Sequence, residues 1–192
     1  DRTGKNSPIP QALIEASERG KQVTAVVEIK ARFDEENNIE WATKLAESGV
    51  HVVYGLVNLK THSKVALVVR REDHGLQTYT PVATCNSNPT TSELYTDLGL
   101  VTSDPDIGED ATDLFNFLTG FSLQKEYKRL LIAPVNLRER MLSLIERERE
   151  HAEAGRPARI ATKINRLTDL DTIDALYRAS QAGVKIDLIV RG

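Results

Sequence analysis

Apolar positions along the chain recur in two alternating rhythms. Asn6-Ser7-Pro8 combines a capping serine with a proline in the first turn of a helix, Ile9, Leu13 and Ala16 then fall at helical spacing, and Gly20 stands where that helix should stop. Val23 to Ile29 reads as a strand, apolar enough to lie in a sheet covered on both faces. Ala31 to Asn38 is polar and turn-rich. Ile39, Ala42, Leu45 and Ala46 describe a second amphipathic helix ended by Gly49, and Val50 to Tyr54 a second strand. Helix and strand thus alternate, which argues for an α/β architecture with largely parallel strands.

Downstream, Val65 to Val69 and Gln77 to Ala83 read as strands of a hairpin turned at Arg70 to Gly75. The polar loop Thr84 to Thr90 feeds a short helix ending near Tyr95. Leu98 to Val101 is a short strand, Glu109 to Leu118 an amphipathic helix, and Leu130 to Ala133 a strand closed by Pro134. Leu137 to Ala154 is the longest helical pattern. Its run Glu146-Arg147-Glu148-Arg149-Glu150 reads as a solvated face with helical ion pairs. Arg159 to Ile164, Asp171 to Ala182 and Ile186 to Val190 complete a strand, helix and strand.

The last segment echoes the first. Ala12-Leu13, Ala16-Ser17 and Gly20 match Ala175-Leu176, Ala179-Ser180 and Gly183 at one ungapped offset of 163 residues (Gly20 to Gly183), and Val23, Ala25 and Val27 fall opposite Ile186, Leu188 and Val190. Ordinary Ala/Leu helices can produce such identities; the alternative is a two-lobed protein whose second lobe has just begun.

Composition narrows the class. A hydrophobic share of 40% with 28% charged residues excludes a disordered chain. A net charge of −3 gives no support for nonspecific nucleic-acid binding, so any phosphate chemistry must use local basic residues. The single Cys85 rules out an internal disulfide. No apolar run has the length of a membrane span. The chain begins without methionine and stops directly after a strand-like run, which sets the expectation of a piece cut from a longer protein.

Between the second and third apolar runs stands Leu59-Lys60-Thr61-His62-Ser63-Lys64. A histidine and a lysine two residues apart at a strand edge share a face, because side chains alternate with period two. Neutral imidazole can attack phosphorus and hold the phosphoryl group covalently, and lysine supplies a compact positive charge for its oxygens. The same tripeptide also occurs as an ordinary solvated turn, so it points to a phosphate site without fixing one.

Taken in order, Arg2 to Pro8, Glu28 to Asn37, Gly49 to Gly55, Leu59 to Lys64, Leu94 to Asp97 and Leu188 to Gly192 resemble the polyphosphate kinase family, whose catalytic half has two phospholipase-D-like lobes. The resemblance covers essentially the whole chain. It implies an α/β fold, a phospholipase-D-like lobe with a mixed, mostly parallel sheet flanked by helices, residues 1–155 being the first lobe and 156–192 the beginning of a truncated second. The family's amino-terminal and helical head domains would be missing. It further implies reversible transfer of the terminal phosphate of ATP to polyphosphate through a phosphohistidine at His62, with Lys64 neutralising the transferred group. Tyr95 and Arg191 match positions that contact nucleotide, and Asn86 and Asn88 are the asparagines of a phosphate- or nucleotide-binding loop. Arg2 and Arg32 match positions associated with the magnesium (Mg2+) site. Arginine has no lone pair for a metal, so these two read as phosphate clamps or contacts through water or backbone, the lesser alternative for Arg32 being a helix-capping ion pair with Asp34 or Glu35. Asp97 could hold magnesium through oxygen or merely cap a turn. The implied partners are ATP, ADP and polyphosphate, with no nucleic acid and no membrane span. The full-length protein would be a cytoplasmic homo-oligomer, and the isolated fragment would turn over poorly.

The departures fall in one loop. Where the family usually shows a second histidine and Gly-Thr-Gly-Asn-x-Asn, this chain has Pro81-Val82 and then Ala83-Thr84-Cys85-Asn86-Ser87-Asn88. If the glycines serve close approach or positive φ, Ala83 and Cys85 would weaken the site, leaving a lobe that binds phosphate or packs without catalysing. Cys85 has no His or Asp partner near it in sequence and reads as an incidental small residue. A phospholipase or nuclease is a further alternative, but its signature expects an aspartate five residues after Lys64, where Val69 stands.

Overall fold

The computed structural model describes residues 3–29, 35–56, 58–86, 88, 93–120 and 126–191. These form two compact units, one drawing on residues 1–124 and 128–130, the other on 125–127 and 131–192.

In the first unit, helix α1 (Pro8–Glu18) starts where Ser7 Oγ accepts the Ile9 N–H, with proline opening the first turn. Strand β1 (Thr24–Val26) pairs in parallel with β2 (His51–Val53), Ala25 facing Val52, and helix α2 (Glu35–Glu47) links them. Ala25, Leu45 and Val50 are buried together, with Leu13, Ile14, Val23, Val27 and Val52 packed around them. The turn expected at Ala31 to Asn38 gives way to helix from Glu35, while residues 30–34 lie outside those described.

An antiparallel sheet follows, in the order β3 (Val68–Glu72), β4 (Gly75–Ala83), β5 (Gly99–Thr102). The strand expected at Val65 to Val69 extends further, to Glu72, and the turn shrinks to Asp73-His74. Its regular part begins only at Val68 although Val65 is already bridged to Val82 in the same register. Pro81 explains the gap: its carbonyl accepts the Ala66 N–H at 2.9 Å, but proline has no N–H to return. Helix α3 (Pro105–Leu118), capped by Asp104, packs on this sheet through Gly108, where a Cβ would come within 3.0 Å of Thr78 Cγ2. Of the short helix expected between Thr90 and Tyr95, residues 91 and 92 lie outside those described, and Glu93 to Tyr95 form a turn, not a helix.

The strand expected at Leu130 to Ala133 does not form. Asp110, 2% exposed, accepts the N–H groups of Lys128, Arg129 and Leu130 at 2.7 to 2.8 Å, and Asn136 Oδ1 accepts that of Ile132. Donors that a sheet would need are committed to side chains.

The second unit holds α4 (Leu137–Glu153), β6 (Arg159–Ile164), α5 (Leu170–Gln181) and β7 (Lys185–Val190), β6 and β7 being parallel. Ile145, Ala175, Leu176, Ala179 and Val184 form its core, so α4 packs here beside α5. Arg149 pairs with Glu146 and Glu153 along α4, as the charge run leads one to expect.

The two helices matched in sequence close alike, Gly20 and Gly183 taking positive φ (76° and 98°) with bonds from Gly20 to Ser17 and Lys21 to Ala16 in one and from Gly183 to Ser180 and Val184 to Ala179 in the other. Helices α2 and α4 close in the same way at Gly49 and Gly155, so this is the ordinary glycine stop and not a mark of the repeat. The fold is therefore mixed α/β, with small parallel and antiparallel sheets flanked by helices. Among the described strands β1 and β2, and likewise β6 and β7, pair in parallel, and β3, β4 and β5 antiparallel.

Candidate functional site

His62 lies on an irregular, exposed segment between β2 and β3. No strand forms at residues 61–64, so period-two alternation is not what relates His62 to Lys64. Lys64 instead reaches back, its Nζ donating to the main-chain oxygen of His62 at 3.2 Å.

The segment is fixed at both ends. On its far side, the Lys64 carbonyl accepts the N–H of Ala83, the last residue of β4, at 2.9 Å. On its near side, Glu28 Oε2 accepts the N–H of Thr61, the residue immediately before His62, at 2.7 Å. Gly55, at φ 70°, has no Cβ to crowd Thr61, whose Oγ1 would lie 3.1 Å from one. Glu28 itself is 7% exposed and sits just past β1, where the preceding Val27 N–H reaches Val53. Its main-chain oxygen accepts from Nδ2 of Asn38, a fully buried residue of α2, at 2.7 Å.

The contacts continue into the loop that carries the asparagines. Asn38 Oδ1 accepts the Thr3 N–H at 3.4 Å, and the Gly4 carbonyl accepts from Trp41 Nε1 at 3.0 Å. Gly4 lies against Asn88: a Cβ there would meet its Nδ2 at 3.1 Å. Asn88 donates its N–H to the carbonyl of Asn86, three residues beyond Ala83. Thr61, Glu28, Asn38, Thr3-Gly4, Asn88, Asn86, Ala83 and Lys64 thus close a circuit in which His62 stands. Asn86 Oδ1 is buried with no hydrogen-bond partner, a polar atom left over at the turn of that circuit.

Tyr95 is exposed and precedes β5. Asp97, two residues on, accepts the Thr84 hydroxyl on Oδ1 at 2.8 Å, while Thr84 Oγ1 also accepts the Leu98 N–H. Arg191 follows β7 in the second unit, donating its N–H to Ile164 at 3.0 Å. Arg2 and Arg32 lie outside the described residues. Among the described residues no three His, Cys, Asp or Glu gather as a metal cage.

Glu28, Asn38, Thr61 and Gly4 were not singled out by sequence reasoning. Two carried a usable signal. Glu28 interrupts an apolar strand, and Asn38 falls in line with Ala42 and Leu45 on the buried stripe of α2. Polar residues on apolar faces must be hydrogen-bonded, which marks both for notice, but only the fold shows that the partner of the Glu28 carboxylate is Thr61.

Comparison with known proteins follows the same division of the chain. Residues 1–126 match the family model described as polyphosphate kinase C-terminal domain 1, and residues 130–192 that described as C-terminal domain 2. A polyphosphate kinase of Synechocystis sp. is 61% identical over 191 residues, covering all of this chain and 26% of that protein. One from Streptomyces coelicolor is 58% identical with the same coverage. The crystal structure of polyphosphate kinase from Porphyromonas gingivalis superposes with a TM-score of 0.86 at 42% identity, covering 100% of this chain and 32% of that one. The chain spans about a quarter of the length of the curated relatives it matches.

Proposed function

Because the chain belongs to the polyphosphate kinase family, we propose that it is a catalytic portion of an enzyme that moves the terminal phosphoryl group of ATP reversibly onto polyphosphate, with His62 carrying it. The observation behind this reading is the circuit that anchors the residues on both sides of His62 to the asparagine loop while leaving the histidine exposed. A nucleophile must be accessible, yet held on a fixed backbone.

In the proposed step a neutral imidazole nitrogen attacks the γ-phosphorus of ATP. The bond from phosphorus to the β–γ bridging oxygen breaks, and that oxygen leaves with ADP. A terminal oxygen of polyphosphate then attacks the same phosphorus, breaking the P–N bond and returning the imidazole. Lys64, hydrogen-bonded to the histidine's own main chain, supplies positive charge for the transferred oxygens. Tyr95, Arg191, Asn86 and Asn88 are assigned to nucleotide and phosphate binding within this reading. The lobes are proposed to be phospholipase-D-like, the first over residues 1–155 and the second beginning at 156, in a cytoplasmic homo-oligomer. The ungapped sequence match of Ala12 to Gly20 with Ala175 to Gly183 is what supports two lobes.

The described residues do not fit a protein-built magnesium cage, and Asp97, a single carboxylate, already accepts a hydroxyl. Magnesium in this account accompanies the phosphates of the nucleotide, and no step is derived through it.

The reading of an impaired lobe loses one of its two reasons. Asn58 alone among the described non-glycine residues has positive φ, so Ala83 and Cys85 occupy backbone that does not demand glycine. In the full-length kinase containing this sequence, His62→Ala should lower polyphosphate synthesis from ATP at least about a thousandfold with unchanged thermal melting. Synthesis retained in that variant would contradict the proposal.

A further inference from the structure

We propose that Glu28 is a positioning residue for His62, acting through the backbone of Thr61. The inference deepens the reading of His62 as phosphoryl acceptor and rests on it.

The residue before His62 makes a hydrogen bond that its own segment cannot supply. Residues 58–64 have no regular structure, and a nucleophile on such a segment needs an external support to keep its orientation. That support comes from an unusual place. Glu28 is a buried acid at the end of an apolar strand, and burying a carboxyl is costly unless its oxygens are used. One of them takes the Thr61 N–H at 2.7 Å.

Glu28 is in turn held on two sides. The Val27 N–H ties the strand to β2 through Val53, and Asn38, 0% exposed, clamps the Glu28 carbonyl from α2. The support is thus part of the packed core of the first unit, whereas the supported residue is on the surface loop. Gly55 lies close on another side, and because it has no Cβ it leaves Thr61 its place: a Cβ there would come within 3.1 Å of the Thr61 hydroxyl. Thr61 is thus tied to the core through its N–H, and His62 follows it directly.

The important property of Glu28 in this arrangement is reach rather than charge. An acceptor oxygen must arrive at the Thr61 N–H from a backbone that cannot move. Glutamine preserves that reach and the acceptor; aspartate preserves the carboxylate but is shorter by one methylene. The proposal therefore ranks the variants: Glu28→Gln above Glu28→Asp, with Glu28→Ala no better than Asp. A carboxylate acting by charge would give the opposite order of Gln and Asp.

The test uses the full-length kinase that contains this sequence. For Glu28→Gln, Glu28→Asp and Glu28→Ala, one measures kcat and KM for ATP, thermal melting, and hydrogen exchange of the peptide spanning Leu59 to Lys64. Misplacing a reacting group by an ångström costs on the order of a hundredfold, so Asp and Ala should lose kcat by about that factor at little-changed KM. The same two should lose exchange protection at the Thr61 amide, and Gln should keep both. Asp outperforming Gln, or unchanged exchange and kcat in Ala, would overturn the proposal. So would loss of Thr61 protection without loss of kcat. A parallel His62→Ala enzyme separates the two layers: if it still synthesises polyphosphate, the acceptor reading has failed, whereas the exchange data judge the contact from Glu28 on their own.

Discussion

At the scale of single residues, the molecule spends buried acids on backbone. Glu28 serves one N–H, and Asp110 serves three in succession, those of Lys128, Arg129 and Leu130. Both are buried, and an unmade hydrogen bond is expensive out of reach of water. Asp110→Ala removes the common acceptor of three donors, and because a single stranded donor costs about 1–3 kcal/mol the variant should be destabilised by at least about 2 kcal/mol in urea unfolding of this chain. A change of under about 0.5 kcal/mol, typical of a surface substitution, would mean that those amides find water instead. His62 and Lys64 were legible from residue type and spacing. Their supports were not, because Glu28 lies 33 residues before Thr61 and only the fold brings them together.

At the scale of elements, what the sequence disclosed was mostly what local rules control. Ser7 before Pro8, and the glycines after α1 and α2, marked helix ends to within a few residues. The repeat was legible for the same reason, since its matched residues are the ones that cap and pack one helix. What escaped was set at a distance. Leu130 to Ala133 has the composition of a strand but loses its donors to Asp110 and Asn136, and the gap in the β3 ladder is created by Pro81 on another strand. The start of α5 carries a pH-dependent prediction. Asp169 accepts from Arg138 Nε at 2.9 Å and from the Thr172 N–H at 2.9 Å. Arg138 foremost, then Thr172, hold its carboxyl down at about 2. A carboxyl depressed on folding contributes stability above its unfolded value, near ~3.9, and that contribution is lost as pH falls towards the folded value. The stability difference between this chain and its Asp169→Ala variant should therefore be full at neutral pH and shrink between about pH 4 and about pH 2. Urea midpoints measured across that range check it; a difference independent of pH would show that the cap acts without its charge.

At the scale of the whole molecule, two units correspond closely to two matched domain models, 1–126 and 130–192, in a chain that covers about a quarter of its relatives. The first unit contains the complete circuit around His62, and Arg191 belongs to the second. The central claim is that His62 is the phosphoryl carrier. It is tested most directly by incubating the full-length kinase with ATP and magnesium and mapping the phosphate by mass spectrometry under alkaline conditions. The account predicts one acid-labile phosphate on His62, absent from the His62→Ala enzyme; an acid-stable phosphate, or labelling at another residue with His62 unmodified, would contradict it.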